Sequence, residues 1–316
     1  MSNWTIKEPT TLTFDTVRRL RIKTVSGTVH VVGTDAAPTL EVTDISGKDL
    51  DVTMDENGVL DIGYRDWPFR WPGPIGWITG RGMRTAADLS VAVPKDCEVA
   101  MDVVSVTTVV SGIEDRVRIK GVNGDLTLAR LADVDAGTVS GSIEAERISE
   151  SFAAKTISGD ITAVDLSGRT ASFETVSGTI TLDVQAPIPT MQLTTVSGDA
   201  TIRLPYKCDA DVWLSTTSGQ VASSFAEIRS SGRPGSRTAE GRLGAGGPRL
   251  RGHTVSGHVT VLRRDEEDGT GEYGTGEHGT EEDGDEASRG GTDGPPPDRS
   301  EAEHRPDDRS GDQERR

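Results

Sequence analysis

Thr175-Val-Ser-Gly-Thr-Ile-Thr-Leu182 is one of six closely similar octapeptides. The others are Thr24-Val-Ser-Gly-Thr-Val-His-Val31, Thr138-Val-Ser-Gly-Ser-Ile-Glu-Ala145, Thr156-Ile-Ser-Gly-Asp-Ile-Thr-Ala163, Thr195-Val-Ser-Gly-Asp-Ala-Thr-Ile202 and Thr254-Val-Ser-Gly-His-Val-Thr-Val261. Weaker copies are Val110-Ser-Gly-Ile113, Gly121-Val-Asn-Gly-Asp-Leu-Thr-Leu128 and Thr216-Thr-Ser-Gly-Gln-Val-Ala-Ser223. The repeat glycines are therefore Gly27, Gly112, Gly124, Gly141, Gly159, Gly178, Gly198, Gly219 and Gly257. From Gly124 to Gly219 the spacing grows from 17 to 21 residues, and the last interval, 38, is two periods. Val176, Gly178, Ile180 and Leu182 alternate with Thr175, Ser177, Thr179 and Thr181, the period of a half-buried strand. Glycine falls on the apolar parity, so it removes a side chain where the backbone bends or layers approach closely. A period near 19 is too short for a helical hairpin or a four-stranded propeller blade. It fits one coil of a β-solenoid in which parallel neighbours complete the core, with Thr and Ser expected in ladders on the outside.

Residues 10–95 alternate but repeat poorly, and Asn57-Gly58 is a hairpin signal. The expected organisation is an N-terminal β-meander cap over 1–95, continuous with solenoid repeats over 96–263, and an acidic tail over 264–316. Helical periodicity is absent, although Ser223 to Ser230 fits one turn.

The chain has 316 residues, 33% of them hydrophobic, and a net charge of −17. Between Asp265 and Arg316 there are 19 acids, 6 arginines and only Tyr273, Ala287 and Ala302 as apolar residues. Such a segment cannot bury a core and reads as disordered. No apolar run reaches the roughly 18–20 residues that span a bilayer. The start, Met1 to Pro9, carries an acid and a proline where a signal peptide needs a basic and then an apolar region, so the expected location is cytoplasmic. Cys97 and Cys208 are too few for a disulfide framework or a zinc ribbon and read as unpaired, buried thiols.

The repeated T-V-S-G-x-I-x-L units, together with Val91-Ala-Val-Pro94, Ile202-Arg-Leu-Pro205 and the final Thr-Val-Ser-Gly strand, resemble a bacterial β-strand-repeat family. It comprises adhesin-type and toastrack-type domains of unknown function, and the resemblance spans about residues 10–263. It implies an all-β, right-handed, single-stranded β-helix with no established enzyme activity, often associated with envelope-stress systems. It carries over no catalytic residue.

Two segments stand apart from the repeat. Tyr64 to Ile78 gathers Trp67, Phe69, Trp71 and Trp77 among prolines and glycines. Such a loop either anchors a protein or membrane partner or, the favoured reading, folds back to plug an open solenoid end. Arg229 to His253 contains Arg229, Arg233, Arg237, Arg242, Arg249 and Arg251 against the single acid Glu240. It reads as a flexible basic insertion between the last two coils, able to touch anionic lipid or nucleic acid. The acidic tail would mask it.

Enzymatic patterns are weak. His253 and His258 lack further ligands, Gly244-Ala-Gly-Gly-Pro248 lacks the Lys-Ser/Thr of a phosphate loop, and Asp160 and Asp199 share a motif slot two coils apart. No catalytic residue, metal or cofactor is expected. The expected function is a non-enzymatic scaffold or interaction module in envelope stress. Its partner is a protein, plausibly membrane-embedded, with peripheral membrane contact and no nucleic acid. The oligomeric state is open. The alternatives are a self-assembling, bactofilin-like structural protein and a carbohydrate-active β-helix enzyme.

Overall fold

From Thr156 onward each octapeptide makes a corner between a longer strand and a shorter one, whereas Thr24–Val31 lies within the single strand Arg19–Thr34. Thr170–Ser177 turns at Gly178 into Ile180–Val184, and the next coil repeats this with Thr190–Ser197, Gly198 and Ala200–Leu204. Neighbouring coils pair in parallel, with Thr170 beside Thr190 and Ile180 beside Ala200. The structure, a computed structural model, describes residues 1–65, 85–233 and 236–265. These lie in the first of two units, Met1–Thr270. Among them every regular element is a strand, and all belong to one open sheet.

The glycines stack so closely that a Cβ on Gly178 would lie 2.0 Å from the Gly159 carbonyl oxygen, and one on Gly198 1.9 Å from that of Gly178. The column runs Ala87, Gly27, Val106, Gly124, Gly141, Gly159, Gly178, Gly198, Gly257, Gly219. Gly112 lies outside it. The strand Glu98–Ser111 pairs with Arg19–Thr34 so that Val106 meets Gly27, and Gly112 sits in the following turn at φ 72° against Gly33.

Spatial order departs from chain order at both ends. Val59–Gly63 and Ala86–Pro94 form a coil outside Arg19–Thr34, which pairs on its other side with Glu98–Ser111. The N-terminal region thus contributes two coils as well as antiparallel strands. Ser2–Ile6 pairs with Leu50–Met54, and Thr10–Thr13 with Thr39–Ser46. At the other end Arg249–Ser256 and Val259–Arg263 enter between the coils of 190–204 and 210–223. The segment expected as a flexible basic loop is in fact ordered strand. Arg229–Arg233 and Ser236–Leu243 pair antiparallel with each other, and the second pairs with Ala210–Ser218. Ala239, Leu243 and Leu250 point inward and anchor it, an alternation that the surrounding Gly, Ser and Arg conceal.

Residue parity changes at the corner. Thr175 is buried, Val176 exposed and Ile180 buried again, so the uniform alternation expected across the octapeptide is corrected. The leading Thr ladder faces inward, not outward. A buried hydroxyl needs a partner. Those of Thr156, Thr175, Thr216 and Thr254 donate to the carbonyls of Gly141, Gly159, Gly257 and Gly198. The core continues through edge-on Phe152 and Phe173, with ring centroids 5.2 Å apart.

Outside, charge alternates from coil to coil. Arg19, Glu98, Arg116 and Asp133 succeed one another on one column, with Arg19–Glu98 at 2.5 Å and Arg116–Asp133 at 2.8 Å. Exposed pairs contribute little stability individually. A slip by one coil, however, would bring like charges together, so the alternation fixes which repeat sits beside which.

Candidate functional site

The residue after each glycine decides whether the motif acids are available for chemistry. Asp160 Oδ1 accepts the Thr179 backbone N–H at 2.7 Å, and Asp199 Oδ1 that of His258 at 2.7 Å. Asp125 does the same for Ser142, and Asp88 for Thr28. Asp therefore recurs because its carboxylate stitches one corner to the next, and Asp160 and Asp199 do not converge on a common point. The imidazoles are used locally too. His253 Nδ1 lies 2.8 Å from Ser215 Oγ, and His258 Nδ1 accepts the Gln220 N–H at 3.1 Å. Among the described residues no group of three or more His, Cys, Asp or Glu side chains could hold a metal ion. Cys97 is buried, which pushes its thiol pKa up to about 12, whereas Cys208 is only half-buried.

The most enclosed ionic group lies beside the last strand. Asp183 is nearly buried and paired with Arg203 at 2.5 Å and with Arg264. Burial raises its pKa, but the hydrogen bonds and charges of the two guanidiniums more than offset this, and the net shift is downward from 3.8. A carboxylate with a lowered folded pKa contributes stability that is present above its unfolded value and lost as pH falls through the folded one. Asp183→Asn is therefore expected to lower the denaturation midpoint at pH 7 and to flatten its fall below about pH 4, measured by urea titration at several pH values.

The outer surface of the long strands carries a feature absent from the sequence reading. The residues before Ser26, Ser105, Asn123, Ser140, Ser158, Ser177, Ser197 and Ser256 form a column of Val25, Val104, Val122, Val139, Ile157, Val176, Val196 and Val255. The pairs on either side fix its register, among them Thr156 with Thr175 and Ser158 with Ser177. Four members protrude strongly: Ile157 is 52% exposed, Val176 47%, Val196 45% and Val255 42%. Eight rungs at about 4.8 Å make an apolar ridge roughly 34 Å long. Beside it runs a ladder of Ser26, Ser105, Asn123, Ser140, Ser158, Ser177, Ser197, Ser256 and Ser218. Further back on the same face, Ser151, Thr170, Ser172, Thr190 and Gln192 line an open trough of about 400 Å³, bounded by the Arg116–Asp133 and Arg118–Asp135 pairs.

Five of the six arginines expected in a basic loop lie on this outer face at the C-terminal end of the stack. Arg249 and Arg242 flank Asp211, Arg251 is beside Trp213, Arg229 faces Glu240, and Arg233 faces Ser236. Arg237 opposes Thr216 and so takes the other parity. Trp67, Phe69, Trp71 and Trp77 lie outside the described residues, as does the tail beyond Asp265. The valine ridge was legible in principle, since six of the motif copies repeat Val or Ile at that place. The corner inverts the parity that would have revealed its exposure.

Residues 76–262 match the family model described as Toastrack DUF4097. No curated protein matches the chain. Among solved structures, the chain is similar to a "putative lipid binding protein" from Parabacteroides distasonis, at 16% identity over 82% of this chain and 97% of that one, with a TM-score of 0.44. It is also similar to "putative adhesins" from Bacteroides fragilis and Parabacteroides merdae. The first is 13% identical over 82% of this chain and 98% of that one, with a TM-score of 0.36. The second is 12% identical over 82% and 96%, with a TM-score of 0.31.

Proposed function

Since the chain belongs to the toastrack DUF4097 family, we propose that it is a non-enzymatic interaction module. Its valine ridge docks a protein partner, and it works on the cytoplasmic side of the bacterial envelope in the response to envelope stress. The observation that carries this reading is the ridge: a β-branched residue held in register over eight coils, with four successive members, Ile157, Val176, Val196 and Val255, exposed. An exposed apolar patch of this continuity marks an interaction surface. The motif acids support a binding role over a catalytic one, because their oxygens serve the corners. The outermost strand of the long-strand sheet, Arg229–Arg233, is exposed and carries two arginines. A charged edge resists further strand addition, which weighs against end-to-end polymerisation.

The test is complementation. A strain lacking the protein is expected to be sensitive to cell-wall antibiotics, and Ile157→Lys/Val176→Lys to fail to restore resistance while keeping the wild-type melting temperature. Full rescue by that variant would overturn the role of the ridge. A deletion strain with unaltered sensitivity would overturn the stress assignment.

A further inference from the structure

The strands at the C-terminal end place Arg229, Arg233, Arg242, Arg249 and Arg251 on one outer face with only two acids, Asp211 and Glu240. We propose that this face docks on an anionic phospholipid bilayer; this rests on the reading of the protein as an envelope-side interaction module and specifies the surface that brings it there.

The two acids do not cancel the charge. Asp211 is engaged by Arg242 Nε at 2.9 Å and by the Gly247 N–H at 3.1 Å, and the backbone and Arg242 hydrogen bonds hold its pKa below 3.8. Glu240 lies opposite Trp213 and Arg229. Arg251 is flanked on its rung by Gln192 and Trp213, and Arg233 by Ser236, so neither has an acidic neighbour in the ladder. Guanidinium groups free to make bidentate contacts are suited to phosphate.

Apolar groups project from the same face. Trp213, on the rung between Arg251 and Glu240, is 44% exposed. Four residues further along the neighbouring strands stand Val255 and Val196. Indole rings settle at the headgroup level of membranes, with the ring in the apolar boundary and the N–H towards water. Each basic side chain near an anionic surface adds attraction that acts within about a Debye length. The combination suits a bilayer better than a nucleic acid. One indole offers a single stacking platform, and the exposed valines gain nothing against a phosphodiester backbone, whereas both find a place at a headgroup–acyl boundary.

The experiment is co-sedimentation of the full chain with vesicles of dioleoylphosphatidylglycerol or dioleoylphosphatidylcholine, at low and at physiological salt. The expected result is binding to the anionic vesicles only, weakened by salt. It should fall about thirtyfold in Arg233→Gln/Arg251→Gln and several-fold in Trp213→Ser. Melting temperatures of these variants should stay at the wild-type value, because all three side chains are exposed.

Absence of binding to phosphatidylglycerol, or binding unaltered in both variants, would overturn the proposal. Tighter binding to oligothymidylate, lost in the same variants, would reassign the face to nucleic acid. Ile157→Lys/Val176→Lys, at ridge positions the bilayer face does not use, separates the two readings. If vesicle binding fails while that variant still fails to complement, only the bilayer assignment falls. If vesicle binding holds while that variant complements fully, only the ridge assignment falls.

Discussion

Gly198→Val will unfold the C-terminal coils or lower the stability of the chain by about 4 kcal/mol or more. The first side-chain carbon alone would stand 1.9 Å from the Gly178 carbonyl oxygen and 2.8 Å from its carbon, both backbone atoms of the adjoining coil. Gly198 also has a φ of 155°, outside the range L side chains prefer. Backbone strain of about 1–3 kcal/mol adds to overpacking of similar size, and the neighbour cannot retreat without breaking the bond from the Gly178 N–H to the Ser197 carbonyl. Gly198→Ala should be almost as damaging, since the collision begins at Cβ. Gly247→Ala is the control. Its φ is 114°, but nothing lies within 4 Å of the added carbon, so it should lose only the strain contribution of about 1–3 kcal/mol. Urea denaturation followed by circular dichroism measures all three.

Deleting residues 249–316 will have an effect out of proportion to the two short strands it removes. Leu250, Val259 and Val261 are buried, and each such side chain contributes roughly 1.5–3 kcal/mol. The loss then approaches the whole stability of an ordinary domain. Two further anchors go with them: Arg264 on Asp183, and the Arg263 guanidinium 5.0 Å from the Tyr206 ring centre. Because these strands lie between two other coils, their removal also strips the parallel partner from both sides. The expected outcome is that everything after Leu204 becomes protease-sensitive, while the coils before it persist in limited proteolysis. A chain ending at Asp265 should melt like the full one. A truncated chain that resists cleavage through residue 223 would mean that the outer coil can close directly onto 190–204.

What the sequence makes legible is whatever the repeat carries in register. The period near 19, the glycine at each corner and the parallel pairing all follow from spacing, because a solenoid coil meets only its neighbours. Parity is harder to read, because the corner glycine interrupts the strand: Thr175 and Ile180 are both buried although their separation is odd. The same interruption hid the valine ridge, the main candidate surface. Spatial order is hardest of all. Thr254-Val-Ser-Gly257 looks like the last rung because it comes last in the chain, yet the Gly219 corner stands outside it. No local pattern records that inversion; the 38-residue gap between Gly219 and Gly257 is its only trace. The basic segment was misread for a related reason. Inward Ala239 and Leu243 are two apolar residues in a run of Gly, Ser and Arg, and only pairing with Ala210–Ser218 reveals their alternation.

The alternating charges of the early coils bear on how such an array can change its length. Of Arg19, Glu98, Arg116 and Asp133, the two inner members have the opposite sign on both sides, whereas Arg19 is bounded on its other side by Val59 and Asp133 by Ser151. Excising either inner coil, or duplicating any of the four, would set like charges against each other on this column, so its inner members can be gained or lost only in twos. From Ser151 through Thr170 to Thr190 the same column carries hydroxyls, with Ser151 and Thr170 hydrogen-bonded at 2.6 Å. Hydroxyls donate and accept alike, and a copy inserted there meets a compatible neighbour on both sides. The middle of the array is thus where unit-by-unit growth is permitted, and the charged coils act as a ratchet that counts in pairs.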